Sequence, residues 1–413
     1  MTATTQKLSK TIDIAIPVFI LIQTAAVGIS IAISSIMFVT WMILWLVQFI
    51  IDRQQAISVF TLPDLKWINI FVLLYFLAEV ISRIFAVYPE GAFDNIKRLL
   101  LFAIFYASVG KITGTLLMSK MLIALISLSS VISAIELTTY AVSFGEMIAK
   151  MQFSEIRIDY FNYPLTIAEI KMMTLLSVFP LLFQSTDFPL SRKYMILLCL
   201  PVIVSMLLTQ SRNVYLAFFI CMVLYGIVMN RRFLIVLLVA VPVGYLMLPA
   251  GVTQRLTSIF DASHPSNKSR IAMWETGIKM FADHPITGVA DNKILEIYSE
   301  YKTPEYHSEG VHLHSNFIMI LATTGLLGFT AFIGLFAALI LKQFKLMRQF
   351  GEGSKKLLAF GSILVVISFL ISGIFEWSFG DHEVMTAFFF LVSVPFITAK
   401  EEFIAKSNEL LSS

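Results

Sequence analysis

The stretch HLHSNFIMILATTGLLGFTAFIGLFAALIL, residues 312–341, decides how the rest of the chain is read. From Ser315 to Leu341 it contains no charged residue, and a run of that length crosses the roughly 30 Å hydrocarbon core of a bilayer as a single helix. Similar runs recur from end to end. The composition agrees, with 58% hydrophobic residues, 14% charged residues and a mean hydropathy of +0.83 over 413 residues. Soluble domains carry roughly 25% charged residues. Barrel strands alternate apolar and polar and are only about ten residues long, which excludes a membrane β-barrel. The expected fold is an all-α polytopic membrane protein, with no soluble catalytic domain appended at either end.

Twelve spans are anticipated, at about 13–29, 31–51, 67–86, 97–113, 116–140, 164–185, 194–210, 213–229, 233–249, 315–341, 355–375 and 379–398. Lys7 and Lys10 precede the first run as they would in a signal peptide, but a second run follows at once with no convincing cleavage site. A retained helical hairpin is expected instead. Cys199 and Cys221 fall inside spans and read as small buried or lipid-facing residues, not as a disulfide or metal site. If the N-terminus is cytoplasmic, Arg53, Lys66, Lys111, Lys120, Arg192, Lys193, Arg231, Arg232, Lys342, Lys345, Arg348, Lys355 and Lys356 all fall in cytoplasmic connections. The opposite loops are poorer in Lys and Arg, so the positive-inside rule puts both termini in the cytoplasm.

One segment breaks the rhythm. Residues 251–313 are mostly polar, lie on the outer side by this topology, and separate an N-terminal membrane bundle (1–250) from a three-helix membrane segment (314–413). A loop of that length ordinarily has a task. Within it SRIAMWETGIKMFADHP sets Ile271, Trp274, Ile278 and Phe281 at spacings of three and four, an amphipathic helix whose apolar face can lie on the membrane or on the bundle. A smaller outer loop spans residues 141–163.

Ionisable groups at the edge of a span are functional candidates, because facing lipid costs them a few kcal/mol. Arg212, in LLTQSRNVYLAFF, is either a snorkelling arginine in a tight outer turn or a guanidinium fork that grips phosphate oxygens in a cavity. Arg270, early in the loop helix, is either a solvated cation or part of an anion site at a helix N-terminus. Arg83, Lys97 and Arg98 reach the same face and fit a lipid phosphate or ordinary headgroups. His312 and His314 stand at the mouth of the tenth span, as a polar helix cap or as a neutral imidazole that takes a proton; free imidazole titrates near 6.5. H-x-H without a third ligand is a weak zinc signature, and no metal is called for. His382, in GDHE beside Asp381 and Glu383, could orient another group or complete a metal site. No nucleotide-binding or nucleic-acid motif is present, so neither ATP nor nucleic acid is indicated. Arginines that hold a phosphate leaving group and a histidine that deprotonates a hydroxyl together suit a lipid-linked diphosphate sugar donor.

These residues carry a resemblance. SRIAMWETGIKMFADHPITGVADN resembles the R…W…F…HP…G pattern of the O-antigen ligase and polymerase superfamily of bacterial inner membranes, HLHSNFIMILATTGLLG its following histidine block, and QSRNVYLAF its S-R-G/N segment. Asn213 stands where many relatives have glycine and Ser315 where many have asparagine. The resemblance implies a GT-C-like inverting glycosyltransferase with a periplasmic active site that uses no cofactor. It takes glycan from undecaprenyl diphosphate and passes it to lipid A-core. It further implies His314 as the base for the acceptor hydroxyl, and Arg212 and Arg270 as ligands of the donor diphosphate. His312 and Glu309 are auxiliary candidates. The histidine block is closer to ligases than to polymerases. Behind the ligase reading stand an O-antigen polymerase, a protein O-oligosaccharyltransferase, and a flippase, which lacks the matched pairs of broken helices expected of many transporters.

Overall fold

The computed structural model describes residues 3–150, 157–159, 163–184, 187–247, 253, 257–258, 261, 263–303 and 312–412, and every regular element among them is helical. The N-terminal part contains α1 (Ala3–Ala26), α2 (Ile31–Ile51), α3 (Arg53–Ile57), α4 (Lys66–Ile84), α5 (Phe102–Lys111) and α6 (Thr115–Ala149). It continues with α7 (Pro164–Val178), α8 (Arg192–Leu208), α9 (Arg212–Val228) and α10 (Arg231–Met247). The loop carries α11 (Pro265–Asp283) and α12 (Ile294–Tyr301). The C-terminal part holds α13 (Asn316–Gln349), α14 (Ser354–Ser372), α15 (His382–Val392) and α16 (Val394–Ser412).

Eight described helical segments are long and apolar enough to cross a membrane, and the chain is a multi-pass membrane protein. They coincide with eight of the twelve anticipated spans. The other four are helices too, but α8, α9 and α10 have 17 residues each and α5 has 10, its span being completed by the 3-10 turn Ile96–Leu101. Helix α6 runs on to Ala149 through the first part of the anticipated loop, since no proline interrupts the chain before Pro164. The first two helices pair as the expected hairpin, and both cysteines are buried.

Burial orders the bundle. The α7 span is 89% buried and the α15–α16 span 94%, whereas α2 is 22% buried, so α7, α14 and α15 form the centre and α2 faces outward. Lipid offers no hydrophobic drive for helix association, and close packing does the work instead. Gly361 on α14 lets the Ser177 carbonyl of α7 approach to 2.3 Å from where a Cβ would stand. Phe379 seats its ring against Phe332 and Tyr75 at 5.2 and 5.6 Å, while Phe369 meets Phe388 at 4.5 Å.

The outer loop is fastened to the bundle through a broken helix. Gly325 leaves helical geometry in the middle of α13 (φ 60°, ψ −161°). The amides of Leu326 and Leu327, which lose their helical acceptors there, donate to the carbonyls of Pro285 and Ile286 at 2.9 and 3.3 Å. In return the amides of Val289 and Ala290 donate to the carbonyls of Ala322 and Thr323 at 3.0 and 2.9 Å. The HPITG turn and the GLLG segment are therefore two halves of one backbone exchange. Gly288 (φ +69°) must be glycine, because a Cβ would lie 2.3 Å from the Thr323 carbonyl carbon. Arg83 and Arg98 add a clamp, both bonding Asp291 of the loop at 2.9 and 3.1 Å. Gly288→Ala is expected to destabilise the protein by about 1–3 kcal/mol through overpacking and left-handed strain. Thermal unfolding of the purified variant checks this, and an unchanged melting temperature contradicts the account of the joint.

Helix α11 forms where its pattern predicts, with Pro265 at its first position. It packs with a different face, however. Ala272, Met273, Thr276, Gly277 and Met280 are buried against α13, while Ile271 and Ile278 remain 38% and 50% exposed. The small-residue face wins because it permits close approach: a Cβ on Gly277 would meet Ile318 at 2.5 Å.

Candidate active site at converging helix N-termini

Four helices, α7, α9, α11 and α13, begin at one end of the bundle, beside the 373–381 connection between α14 and α15. Two of them start after a non-glycine residue in left-handed geometry: Gln210 (φ 55°) before α9, and His314 (φ 45°) before α13. Such backbone costs on the order of 1–3 kcal/mol and concentrates at functional sites.

Arg212, the first residue of α9, donates to the Ser258 hydroxyl at 2.8 Å, to the Ser266 hydroxyl at 3.1 Å and to the Asn267 side chain at 3.4 Å. Arg270, one turn into α11, donates to the same Ser266 hydroxyl at 3.1 Å and to the Phe375 carbonyl at 3.1 Å. Two guanidinium groups far apart in sequence thus converge on one oxygen. They line a cavity of about 280 Å³, with Arg157 and His264 also in its wall. Three arginines around one open space form an anion-binding surface.

The histidines meet a carboxylate. His314 Nδ1 lies 3.1 Å from both oxygens of Glu376, and His312 Nε2 lies 3.7 Å from one of them. The two rings sit 4.2 Å apart. Burial, reinforced by the neighbouring His314, holds the His312 imidazole below its ordinary pKa. Burial alone would raise Glu376, but the hydrogen bond and charge of His314 outweigh it and bring that carboxyl below its usual range. At neutral pH the cluster therefore pairs a carboxylate with a neutral His312. The hydrogen bonds assign the tautomers. His312 Nδ1 accepts the His314 amide at 3.3 Å, so its proton is on Nε2; ionised Glu376 requires the His314 proton on Nδ1, which leaves the Nε2 lone pair to act as base.

Asn316 keeps Glu376 in place. Its amide donates to the Gly373 carbonyl at 2.7 Å, and its side-chain oxygen accepts from the Phe379 amide at 2.9 Å. Trp274 of α11 donates to the His314 carbonyl at 3.3 Å, tying the arginine helix to the histidines. Beyond Glu376 lies a second cavity of about 240 Å³ that includes His312 and Asp381.

His312, His314, Arg212 and Arg270 are all brought into this region. Glu309 lies outside the described residues. His382 meets α2 instead, with its Nε2 3.5 Å from the Ser34 hydroxyl. Sequence reasoning missed Glu376, although it is the only charged residue between Lys356 and Asp381, and that isolation was the signal. It also missed Arg157 as a wall residue and Ser266 as the bridge. His312, His314 and Glu376 offer three ligand atoms within 4.8 Å of one another, a set able to hold a divalent cation, yet the hydrogen bonds above already engage them.

The arrangement sets a carboxylate–histidine cluster next to an arginine-lined cavity in a multi-pass membrane protein. Residues 196–333, which carry Arg212, Arg270, His312 and His314, match the family described as O-antigen ligase. No curated protein matches the chain.

Proposed function

We propose that the protein is an O-antigen ligase of the bacterial inner membrane, with its site at the periplasmic face and both termini cytoplasmic. The observation that carries this reading is the Glu376–His314 pair set beside two arginines that share Ser266. The diphosphate of an undecaprenyl-linked O-antigen sits against Arg212 and Arg270, aided by Arg157. His314 Nε2 takes the proton of a lipid A-core hydroxyl as that oxygen attacks the anomeric carbon. The bond from the anomeric carbon to the phosphate oxygen breaks in the same displacement, which inverts the centre. Undecaprenyl diphosphate leaves with the electron pair, its charge held by the arginines. Glu376 keeps the imidazole in the productive tautomer and stabilises the imidazolium that forms. His312 positions the pair and is not itself the base, because its Nδ1 is already engaged by the His314 amide. Lysine and arginine placement supports the orientation, since the short connections with Arg53 and Lys66, Arg192 and Lys193, Arg231 and Arg232, and Lys342 to Lys356 lie at the helix ends away from the site.

The test is acceptor choice by the purified protein. Given defined lipid-linked donor together with lipid A-core and free donor repeats, it is expected to elongate lipid A-core. Chain growth on donor repeats alone would make it a polymerase.

A further inference from the structure

The second cavity differs in character from the first. Its wall combines Thr166 and Glu169 of α7 with His312, Glu376, Ser378 and Asp381, and it shares Tyr163 and Leu165 with the arginine-lined cavity. Three carboxyl groups thus face one space on the scale of a single sugar ring, and Trp377 adds an aromatic surface. Arg98, on the same wall, is already paired with Asp291 at 3.1 Å. Thr166 donates to Asp381 at 2.8 Å, and the other Asp381 oxygen caps α15 by accepting from the amides of Glu383 and Val384 at 2.9 and 3.1 Å. Ser378 is 2% exposed, and its hydroxyl faces the Glu169 carboxyl without a well-aligned hydrogen bond among the described residues. A buried hydroxyl without such a bond lacks roughly 0.5–1.5 kcal/mol that a ligand oxygen could return.

We infer that this cavity is the acceptor subsite, and that it takes a neutral, hydroxyl-bearing sugar and rejects one phosphorylated at the same ring, with Ser378 and Thr166 setting the preference. The inference rests on the glycosyl-transfer reading above and deepens it. Carboxyl groups accept hydrogen bonds from sugar hydroxyls, whereas a phosphate there would lie against like charge in a partly dry space. Asp381 is pushed up to about 7 by burial and by the charge of Glu383, so it can donate to a sugar oxygen as well as accept from a hydroxyl. Glu376 stays ionised and, with the ionised share of Asp381, supplies the repulsion, while Arg270 lies 3.9 Å from one Glu376 oxygen on the donor side. The two cavities carry opposite character on either side of the Glu376 cluster: arginines for the donor diphosphate, carboxyls for the acceptor ring. Charge alone then sorts two sugar substrates that are otherwise chemically alike.

The experiment measures initial rates of the full-length protein in lipid nanodiscs with a defined lipid-linked donor. Two rough lipopolysaccharides serve as acceptors, identical except that the terminal sugar of one is phosphorylated. The neutral acceptor is expected to be used at least about tenfold better. Ser378→Ala and Thr166→Val should raise the acceptor KM about three- to tenfold, the effect of losing one hydrogen bond, with the donor KM unchanged. Asp381→Asn, which can still cap α15, should narrow the discrimination. Binding of the fluorescently labelled neutral acceptor without donor gives a second readout. Equal use of both acceptors, or a Ser378→Ala effect confined to the donor KM, overturns the inference. Binding that depends on Ser378, with no transfer by the wild type, upholds the subsite and defeats the glycosyl-transfer reading.

Discussion

Alanine at position 314 is expected to lower glycan transfer by about 10²–10⁴-fold, the usual contribution of a positioned general base. Folding should survive, because the His314 side chain is 27% exposed and adds little to the core. Glu376→Gln is the sharper companion. Glutamine keeps the shape but can donate to Nδ1, which moves the imidazole proton to Nε2 and blocks the base, a tautomer error that costs up to about 10⁴-fold in comparable carboxylate–histidine pairs. The pH profile follows from the same cluster. His312 is depressed by burial, so it is neutral at pH 7 and gains its proton only below the roughly 6.5 of free imidazole; Glu376, also depressed, stays anionic through that range. Wild-type activity should therefore fall on the acid side as His312, whose ring lies 4.2 Å from that of His314, gains its proton. Retention of more than a tenth of the wild-type rate in His314→Ala would move the base elsewhere.

Arg212→Ala carries the second large effect, a loss on the order of 2–4 kcal/mol of transition-state stabilisation, or roughly 30- to 10³-fold in rate. Lysine at this position keeps the charge but cannot bridge Ser258 and Ser266 with a planar fork, so Arg212→Lys should also be clearly impaired. Arg270→Ala should behave similarly, since both arginines meet at Ser266 and their losses should not add. Kinetics on the singles and the double check this. Wild-type rates in both single alanine variants, at normal expression, remove the diphosphate clamp.

Much of this site was legible in the sequence, for reasons that can be named. An ionisable residue at the edge of an apolar run carries a solvation cost that patterning exposes, which is how Arg212 and the two histidines declared themselves, while Arg270 stood out at the start of the loop helix. The loop helix declared itself by its prolines and its spacing. Its packing face did not, because apolar periodicity favours Ile271 and Ile278 while close contact with α13 needs the small Gly277. Glu376 was hidden differently. It is adjacent to His314 only because Asn316 ties the 373–381 connection to α13, and no local pattern records a contact across 62 positions. The backbone exchange at Gly325 likewise joins two motifs whose glycines look, in sequence, like ordinary turn and helix residues.

The central claim is that one face of this membrane protein performs glycosyl transfer and does not move lipid across the bilayer. Proteoliposomes loaded with lipid-linked donor in the outer leaflet only, with lipid A-core added outside, measure it directly. Molecules oriented with the His314 face outward should form product without any donor reaching the inner leaflet, and His314→Ala vesicles should form almost none. Donor appearing in the inner leaflet with no product on lipid A-core, in wild type and variant alike, would contradict the account.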